Sequence, residues 1–164
     1  MSELTSLMAA FPTGIAIVTA HGDDGQPCGM TCTSVAAVAL DPACLLVCLR
    51  TASPTLAAVR HRSGFTLNLL HVDAQEAAQV FASGVPDRFE RHAWQADPIA
   101  PGPHLHEAAH TTADCRLYAE TEVGDHTVVF GEVIRVVERA EPRPLLYGLR
   151  SYAAWPSLDA VSSR

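Results

Sequence analysis

The 164-residue sequence contains no lysine, and its eleven basic residues, all arginine, are outnumbered by eighteen acidic residues. The formal net charge of -7 argues against nucleic-acid binding, because such binding needs a basic surface to neutralise phosphates. No apolar run approaches the roughly 18 residues of a membrane span. Residues 1–11 hold no basic residue and no export-type apolar run. We therefore expect a cytoplasmic protein with neither a nucleic acid nor a membrane as its partner.

Cysteine is scarce and odd in number, which argues against a disulfide framework and favours reduced thiols. The five cysteines are Cys28, Cys32, Cys44, Cys48 and Cys115. The first four form two pairs spaced four residues apart, so that each pair shares one face of a strand. Zinc sites more often use CxxC turns, so we interpret these thiols as small packing residues. The sequence predicts no metal site.

Seven stretches have the β-branched or alternating pattern of strands, and two segments change to a helical period. Ser53-Pro54 combines an N-cap with proline at the first helical position. Asp73, with Glu76 three residues later, is a variant of the capping box and predicts a second helix. Ser2 is the expected cap of a short helix that ends before Pro12. The predicted strands cover residues 14–20, 27–34, 35–40, 44–50, 64–70, 114–122 and 126–138, followed by a short element over 145–152.

Residues 84–111 are rich in proline and histidine and lack periodicity, which predicts a long irregular loop. Its histidines are His92, His104, His106 and His110. His104 and His106 share one face of an extended chain beside Glu107, so a metal pair is the alternative. No cysteine or carboxylate cluster completes the ligand set, and we favour a mobile polar loop.

No internal repeat or low-complexity linker divides the chain. Many strands, two inserted helices and one apolar core predict a single domain over residues 1–164, with its core at about 11–155. The element pattern is mainly β and favours a closed or partly closed barrel.

Motifs along nearly the whole chain, from about Phe11 to Trp155, resemble those of the short-chain flavin reductase family. Each motif is weak alone, whereas their order and spacing together are specific. They are FPTG at 11–14, GMTCTS at 29–34, LDP at 40–42, SPT at 53–55, FTLNLL at 65–70, Gln75 with FA at 81–82, DRF at 87–89, GDH at 124–126, GEV at 131–133 and LLY at 145–147 before Tyr152. The resemblance implies the FMN-binding split β-barrel, of Greek-key type, with a few short peripheral helices.

The resemblance also implies a function. Members of the family are homodimers that bind FMN or FAD near the subunit interface and reduce it with NADH or NADPH. The expected activity is therefore an NAD(P)H:flavin oxidoreductase that supplies reduced flavin, by diffusion, to a partner monooxygenase or halogenase. An FMN-retaining split-barrel oxidase and a non-catalytic flavin-binding barrel stay open as alternatives. The sequence does not decide between FMN and FAD or between NADH and NADPH.

Hydride transfer between two cofactors needs ring stacking and hydrogen-bond donors rather than a catalytic triad. The resemblance assigns the flavin ring to five consecutive residues: Met30, Thr31, Cys32, Thr33 and Ser34. The hydroxyl groups among them are short enough to let the ring approach. The alternative is ordinary strand propensity for threonine and a turn serine. Cys32 departs from the family, which commonly has valine or alanine there, and either tunes the flavin or packs in the barrel.

The flavin phosphate needs an anion site, which we assign to Ser53 and Thr55 at a helix N-terminus. The alternative for this Ser-Pro motif is a simple cap. Arg88 either adds charge to the same phosphate or is a solvated loop residue. Phe81, Tyr147 and Tyr152 either close the flavin pocket or pack in the core.

His126 is the residue to which we assign the catalytic role, as a binder and positioner rather than a general base. In the family its Gly-Asp-His motif is associated with nicotinamide-nucleotide binding, and a neutral imidazole can hydrogen-bond a ring amide or a phosphate. Asp125 holds the turn or orients the imidazole. The alternative is an ordinary turn histidine.

Overall fold

The structure is a computed structural model and describes residues 3–156. Within these residues a seven-stranded sheet and a three-stranded sheet are flanked by four helices. The helices are α1 (Glu3–Ala9), α2 (Pro54–Arg62), α3 (Gln75–Ser83) and α4 (Arg88–Arg91). The strands are β1 (Thr13–Gly14), β2 (Ala16–His21), β3 (Pro27–Cys32), β4 (Val35–Leu40), β5 (Ala43–Arg50), β6 (Gly64–Leu70), β7 (Ala109–Val123), β8 (His126–Glu138), β9 (Leu145–Gly148) and β10 (Ser151–Ala154). No helix in this part of the chain is long and apolar enough to cross a membrane.

The larger sheet closes on itself. Its order is β3-β2-β6-β7-β8-β5-β4, so β3 and β4 lie at opposite edges although only Thr33 and Ser34 separate them. A flat sheet of seven strands would hold its edges roughly 29 Å apart, whereas three residue steps span at most about 10 Å. The sheet therefore curls until β3 meets β5, where the Cys32 thiol lies 3.7 Å from the Cys48 carbonyl oxygen. This confirms the predicted mainly β split barrel.

Strand β2 is buried on both of its faces, which explains its continuous apolar sequence. Successive side chains of a strand point to opposite sides of the sheet. Ala16, Val18 and Ala20 belong to an apolar cluster that includes α2, while Ile15 and Ile17 pack in a second cluster under α3. The two helices thus cover opposite sides of one strand.

The predicted mobile loop over 84–111 was wrong. The segment contains α4, an isolated bridge between Gln95 and His104, and the first residues of β7. His104 is only 2% exposed and His110 only 6% exposed. The strand predicted over 114–122 accordingly begins earlier, at Ala109.

Buried polar partners account for this error. The Nε2–H of His104 donates to Asp114 (2.9 Å), and Arg139 donates to Nδ1 of His104 (2.6 Å). Asp114, 2% exposed, also accepts hydrogen bonds from Thr66 (2.7 Å) and Arg135 (2.6 Å). Burying a charged group is tolerable when it is paired and hydrogen-bonded. Burial by itself raises the pKa of Asp114, but these hydrogen bonds outweigh it and hold the pKa below its ordinary value.

Local helix signals were right at one helix and wrong at another. Ser53 caps α2 as predicted, because its Oγ accepts a hydrogen bond from the Leu56 amide (3.1 Å). Helix α3 instead begins at Gln75 after Ala74, without a side-chain cap, and Asp73 contacts His71 (3.3 Å). The predicted cap Ser2 lies outside the described residues.

Candidate functional site

A cleft of about 820 Å³ lies along the line where the two edges of the barrel meet. Its walls are the end of β3, the start of α2 and the end of α3. Arg50, Arg88 and His126 line this cleft, and no aspartate or glutamate does so among the described residues. In a chain with a net charge of -7, this distribution makes the cleft a local site for anions.

All five residues assigned to the flavin ring, Met30 to Ser34, line the cleft. The Thr31 hydroxyl is already used, because it donates to the Ala78 carbonyl of α3 (2.7 Å). The exposed side chains of Thr33 and Ser34 make no hydrogen bond to residues 3–156. They are therefore the hydroxyl groups that a ligand can engage.

Cys32 is 5% exposed and belongs to the apolar cluster inside the barrel. Burial raises the pKa of its thiol to about 11, so the thiol is protonated at neutral pH. Cys32 is therefore a packing residue of the barrel, although part of it also lines the cleft. Cys48 of β5 also lines the cleft.

The start of α2 meets the cleft through Pro54 and Thr55, while Ser53 lies outside the lining. Ser53 satisfies the Leu56 amide, and Pro54 has no N–H. The backbone N–H of Thr55 is thus a donor of the first helical turn that the cap does not satisfy, and it lies at the positive end of the helix dipole. The role of Ser53 as a phosphate ligand stays a prediction.

Arg88 is not a solvated loop residue. Its Nε donates to the Gly29 carbonyl (3.0 Å) and its Nη1 to the Val85 carbonyl (2.8 Å), which ties the turn after α3 to β3. Phe81, 1% exposed, packs edge-on against Phe89 with ring centroids 5.0 Å apart. Phe81 therefore serves both the core and the cleft wall.

Two tyrosines form another part of the wall. Tyr152 and Tyr147 pack edge-on across the β9–β10 pair, with centroids 5.2 Å apart, and both line the cleft. Tyr147, like Tyr152, was considered from the sequence either as a wall of the pocket or as a core residue, and it lines the cleft.

His126 lies at the mouth of the cleft, directly after the turn at Gly124 and Asp125. Its Nδ1–H donates to Oδ1 of Asp125 (2.8 Å), so of the two roles considered for Asp125 the structure has the one in which it orients the imidazole. This hydrogen bond is also the main cause that lowers the pKa of Asp125. The His126 side chain is 45% exposed, which leaves it accessible to a ligand.

Arg50 is a cleft residue that the sequence analysis missed. It pairs with His126 in the β5–β8 ladder, and opposed residues of an antiparallel pair point to the same face. The only sequence signal was an arginine at the end of an apolar strand, three residues before a helix cap. Its pairing with a residue 76 positions away needs the fold to be known.

Large apolar side chains are exposed on two elements, α1 and β4. We use the name apolar face for these residues together, which are Leu4, Leu7, Met8 and Phe11 around α1 and Val38 and Leu40 of β4. Leu40 is 94% exposed, Leu7 is 68% exposed and Phe11 is 61% exposed. A groove of about 490 Å³ runs between α1 and β4 and shares Thr33 and Ser34 with the cleft.

Comparison with known proteins places these features in a family context. The model of a family described as "flavin reductase like domain" matches residues 8–156. The chain is 49% identical to a flavin reductase (NADPH) of Lentzea aerocolonigenes over 150 residues, 92% of this chain and 87% of that protein. It is 39% identical to a flavin reductase (NADH) of Kitasatospora aureofaciens over 152 residues, 92% of this chain and 80% of that one. The solved structure of the styrene monooxygenase flavin reductase from Pseudomonas putida S12 matches with a TM-score of 0.83 at 25% identity, covering 94% of this chain and 98% of that chain.

Proposed function

Because the chain belongs to the flavin reductase like domain family, we propose that it reduces FMN or FAD at the expense of NADH or NADPH. The observation that carries the proposal is the acid-free, arginine-containing cleft in an otherwise acidic chain. Its volume of about 820 Å³ falls within the range of about 300–1,000 Å³ found for small-molecule pockets. A cleft with this charge suits ligands that carry phosphates on a planar ring system.

The residues present fit a flavin. The free hydroxyls of Thr33 and Ser34 are positioned to hydrogen-bond its polar edge, and the Thr55 amide and Arg88 to hold its phosphate. When bound, the flavin supplies a ring that accepts a hydride. The protein itself stacks, orients and partly shields the two ligands from water, with Phe81 and Tyr152 as apolar walls.

His126 is proposed to bind the nicotinamide nucleotide. Asp125 accepts its Nδ1–H, which fixes the tautomer that leaves Nε2 as an acceptor. An acceptor at this position hydrogen-bonds an amide N–H without adding a formal charge to the cleft. The residue thus positions a ligand and transfers no proton.

We also propose that one domain acts as a cytoplasmic homodimer and passes reduced flavin to an oxygenase or halogenase by diffusion. The apolar face supports the dimer, since exposed apolar patches of this kind commonly mark interfaces. Leu40→Glu should shift the protein from dimer to monomer in light scattering, and a wild-type protein that is monomeric at micromolar concentration would refute this part.

The activity is tested by mixing purified protein with each nicotinamide nucleotide and each flavin and following the loss of reduced-nucleotide absorbance. Flavin-dependent oxidation is expected, and its absence in every combination would refute the proposal. Flavin that stays with the protein through gel filtration would favour the FMN-retaining oxidase. Tight flavin binding without nucleotide oxidation would favour the non-catalytic barrel.

His126→Ala tests the assignment within the site. We expect the KM for the reduced nucleotide to rise about tenfold, as for the loss of one hydrogen bond, while the KM for flavin changes little. His61→Ala on the exposed end of α2 is the matched control, because His61 lies outside the cleft lining. Equal losses for both substrates would contradict the role of His126.

A further inference from the structure

The cleft contains a cation, Arg50, whose side chain makes no hydrogen bond and no ion pair with the described protein. Arg50 is the last residue of β5, is exposed and lines the mouth of the cleft beside His126. Its backbone carbonyl accepts from the Ser53 amide, which fixes the position of the chain there. Its guanidinium forms no hydrogen bond and no ion pair with residues 3–156.

The other arginine of the cleft is partly engaged by the protein. Arg88 donates its Nε and Nη1 to backbone carbonyls, which leaves its Nη2. Arg60 of the neighbouring helix α2 pairs with Glu120 (2.8 Å). Asp125 is close enough for Arg50 to help lower its pKa, yet one of its oxygens is occupied by His126. Arg50 therefore keeps its planar set of donors available for an oxyanion from outside the chain.

The position of Arg50 favours the nicotinamide nucleotide over the flavin. The flavin phosphate has its own donors in Nη2 of Arg88 and the Thr55 amide, whereas Arg50 lies beside the residue assigned to the nicotinamide nucleotide. The two nicotinamide nucleotides differ by one group, the 2′-phosphate of NADPH. An arginine free to make two parallel hydrogen bonds is the side chain that recognises such a phosphate.

Resting on the proposed function, we infer that Arg50 binds the 2′-phosphate of NADPH and makes NADPH the preferred reductant of this protein. Arg50 and His126, which pair across β5 and β8, then have separate roles. Arg50 binds the 2′-phosphate that only NADPH carries, and His126 positions the part of the nucleotide that NADH and NADPH share.

Steady-state kinetics with NADPH and NADH at saturating flavin measure this preference. Arg50→Ala should lower the ratio of kcat/KM for NADPH to kcat/KM for NADH at least tenfold, the loss expected for a charge-assisted hydrogen-bond pair. Arg50→Lys should give an intermediate ratio because it keeps the charge without the fork. Arg62→Ala is the matched control, since it removes the same charge from the exposed end of α2, outside the cleft lining.

A binding measurement decides the inference independently of turnover. Calorimetry with 2′,5′-ADP and with 5′-AMP should show at least tenfold tighter binding of 2′,5′-ADP to the wild-type protein, and no such difference for Arg50→Ala. Equal affinities in the wild type would overturn the inference. An unchanged nucleotide ratio with weakened flavin binding in Arg50→Ala would also overturn it and assign the arginine to the flavin. Absence of flavin reduction with discrimination of the two probes intact would refute the proposed function and keep the role of Arg50.

Discussion

Replacing Asp114 by alanine removes the acceptor at the centre of the buried polar network. The carboxylate accepts hydrogen bonds from His104, Thr66 and Arg135, and both Asp114 and His104 have side chains only 2% exposed. The substitution leaves the Nε2–H of His104 without an acceptor, while Thr66 keeps the Gly102 carbonyl (3.1 Å) and Arg135 keeps Asp97 (2.8 Å). We expect this change to be among the most destabilising single substitutions outside the apolar core.

The magnitude follows from the burial of each partner. Breaking a buried ion pair by removing one member costs about 3–5 kcal/mol, because the remaining groups stay desolvated. Arg135 is 27% exposed and recovers part of its hydration, which places the expected loss at the lower end, about 3 kcal/mol. For a chain of this length each kcal/mol lowers Tm by about 2–4 °C, so the expected fall is roughly 6–12 °C.

Urea unfolding followed by circular dichroism measures this loss, with a calorimetric scan as a second readout. Asp73→Ala is the control, because Asp73 is 81% exposed and should change the unfolding free energy by less than about 0.5 kcal/mol. A loss below about 1 kcal/mol for Asp114→Ala would refute the reasoning, since the three hydrogen bonds would then contribute little.

The effect also has a definite pH dependence. The pKa of Asp114 is lowered in the folded protein, so the unfolded chain binds more protons as the pH falls towards the ordinary aspartate value of about 3.9. The stabilisation is fully present above that value and is lost as the pH falls through the lower, folded pKa. The gap between wild type and Asp114→Asn should therefore be constant at neutral pH and narrow below about pH 4. A gap that widens on acidification would contradict the sign.

Three further outcomes are expected. Gly102→Ala places a Cβ against the backbone of β2 and should cost about 1–3 kcal/mol in urea unfolding, whereas Gly14→Ala, with open space around it, should cost far less. Ser53→Ala removes the cap of α2 and should cost about 1 kcal/mol, and a cost near zero would show that the cap is dispensable. In thiol titration near neutral pH, the half-buried Cys28 and Cys48 should react before the three buried cysteines, and fast reaction of all five would contradict the burial pattern.

Helix α2 and the buried polar network mark the range of what the sequence could predict. Ser53-Pro54 was sufficient to place the start of α2, because a cap and its amide lie three residues apart. The burial of His104 depends on Asp114 and on Arg139, the latter 35 positions away, so composition alone described its segment as a polar loop. Local signals succeed where all partners are local.

The candidate site shows the same limit. The Met30–Ser34 segment was recognisable as a motif, and the structure places all of it in the cleft. Arg50 had no motif, and only the register of β5 against β8 brings it beside His126. The fold class needed both kinds of information, since strand patterns indicated a β-rich chain and the resemblance supplied the closed topology.

The two-residue connection between β3 and β4 carries a last consequence. No hydrogen-bonded strand pair depends on it, because β3 pairs with β2 and β4 pairs with β5. A single proteolytic cut between Thr33 and Ser34 would therefore leave every pairing of the ladder in place. The two edges would still meet through the Cys48 amide and the Ser34 carbonyl (3.3 Å) and through the apolar cluster shared by Cys32, Val47 and α2. The connection therefore orders the residues that line the cleft rather than the strands of the sheet, so a cut there would test ligand binding separately from folding.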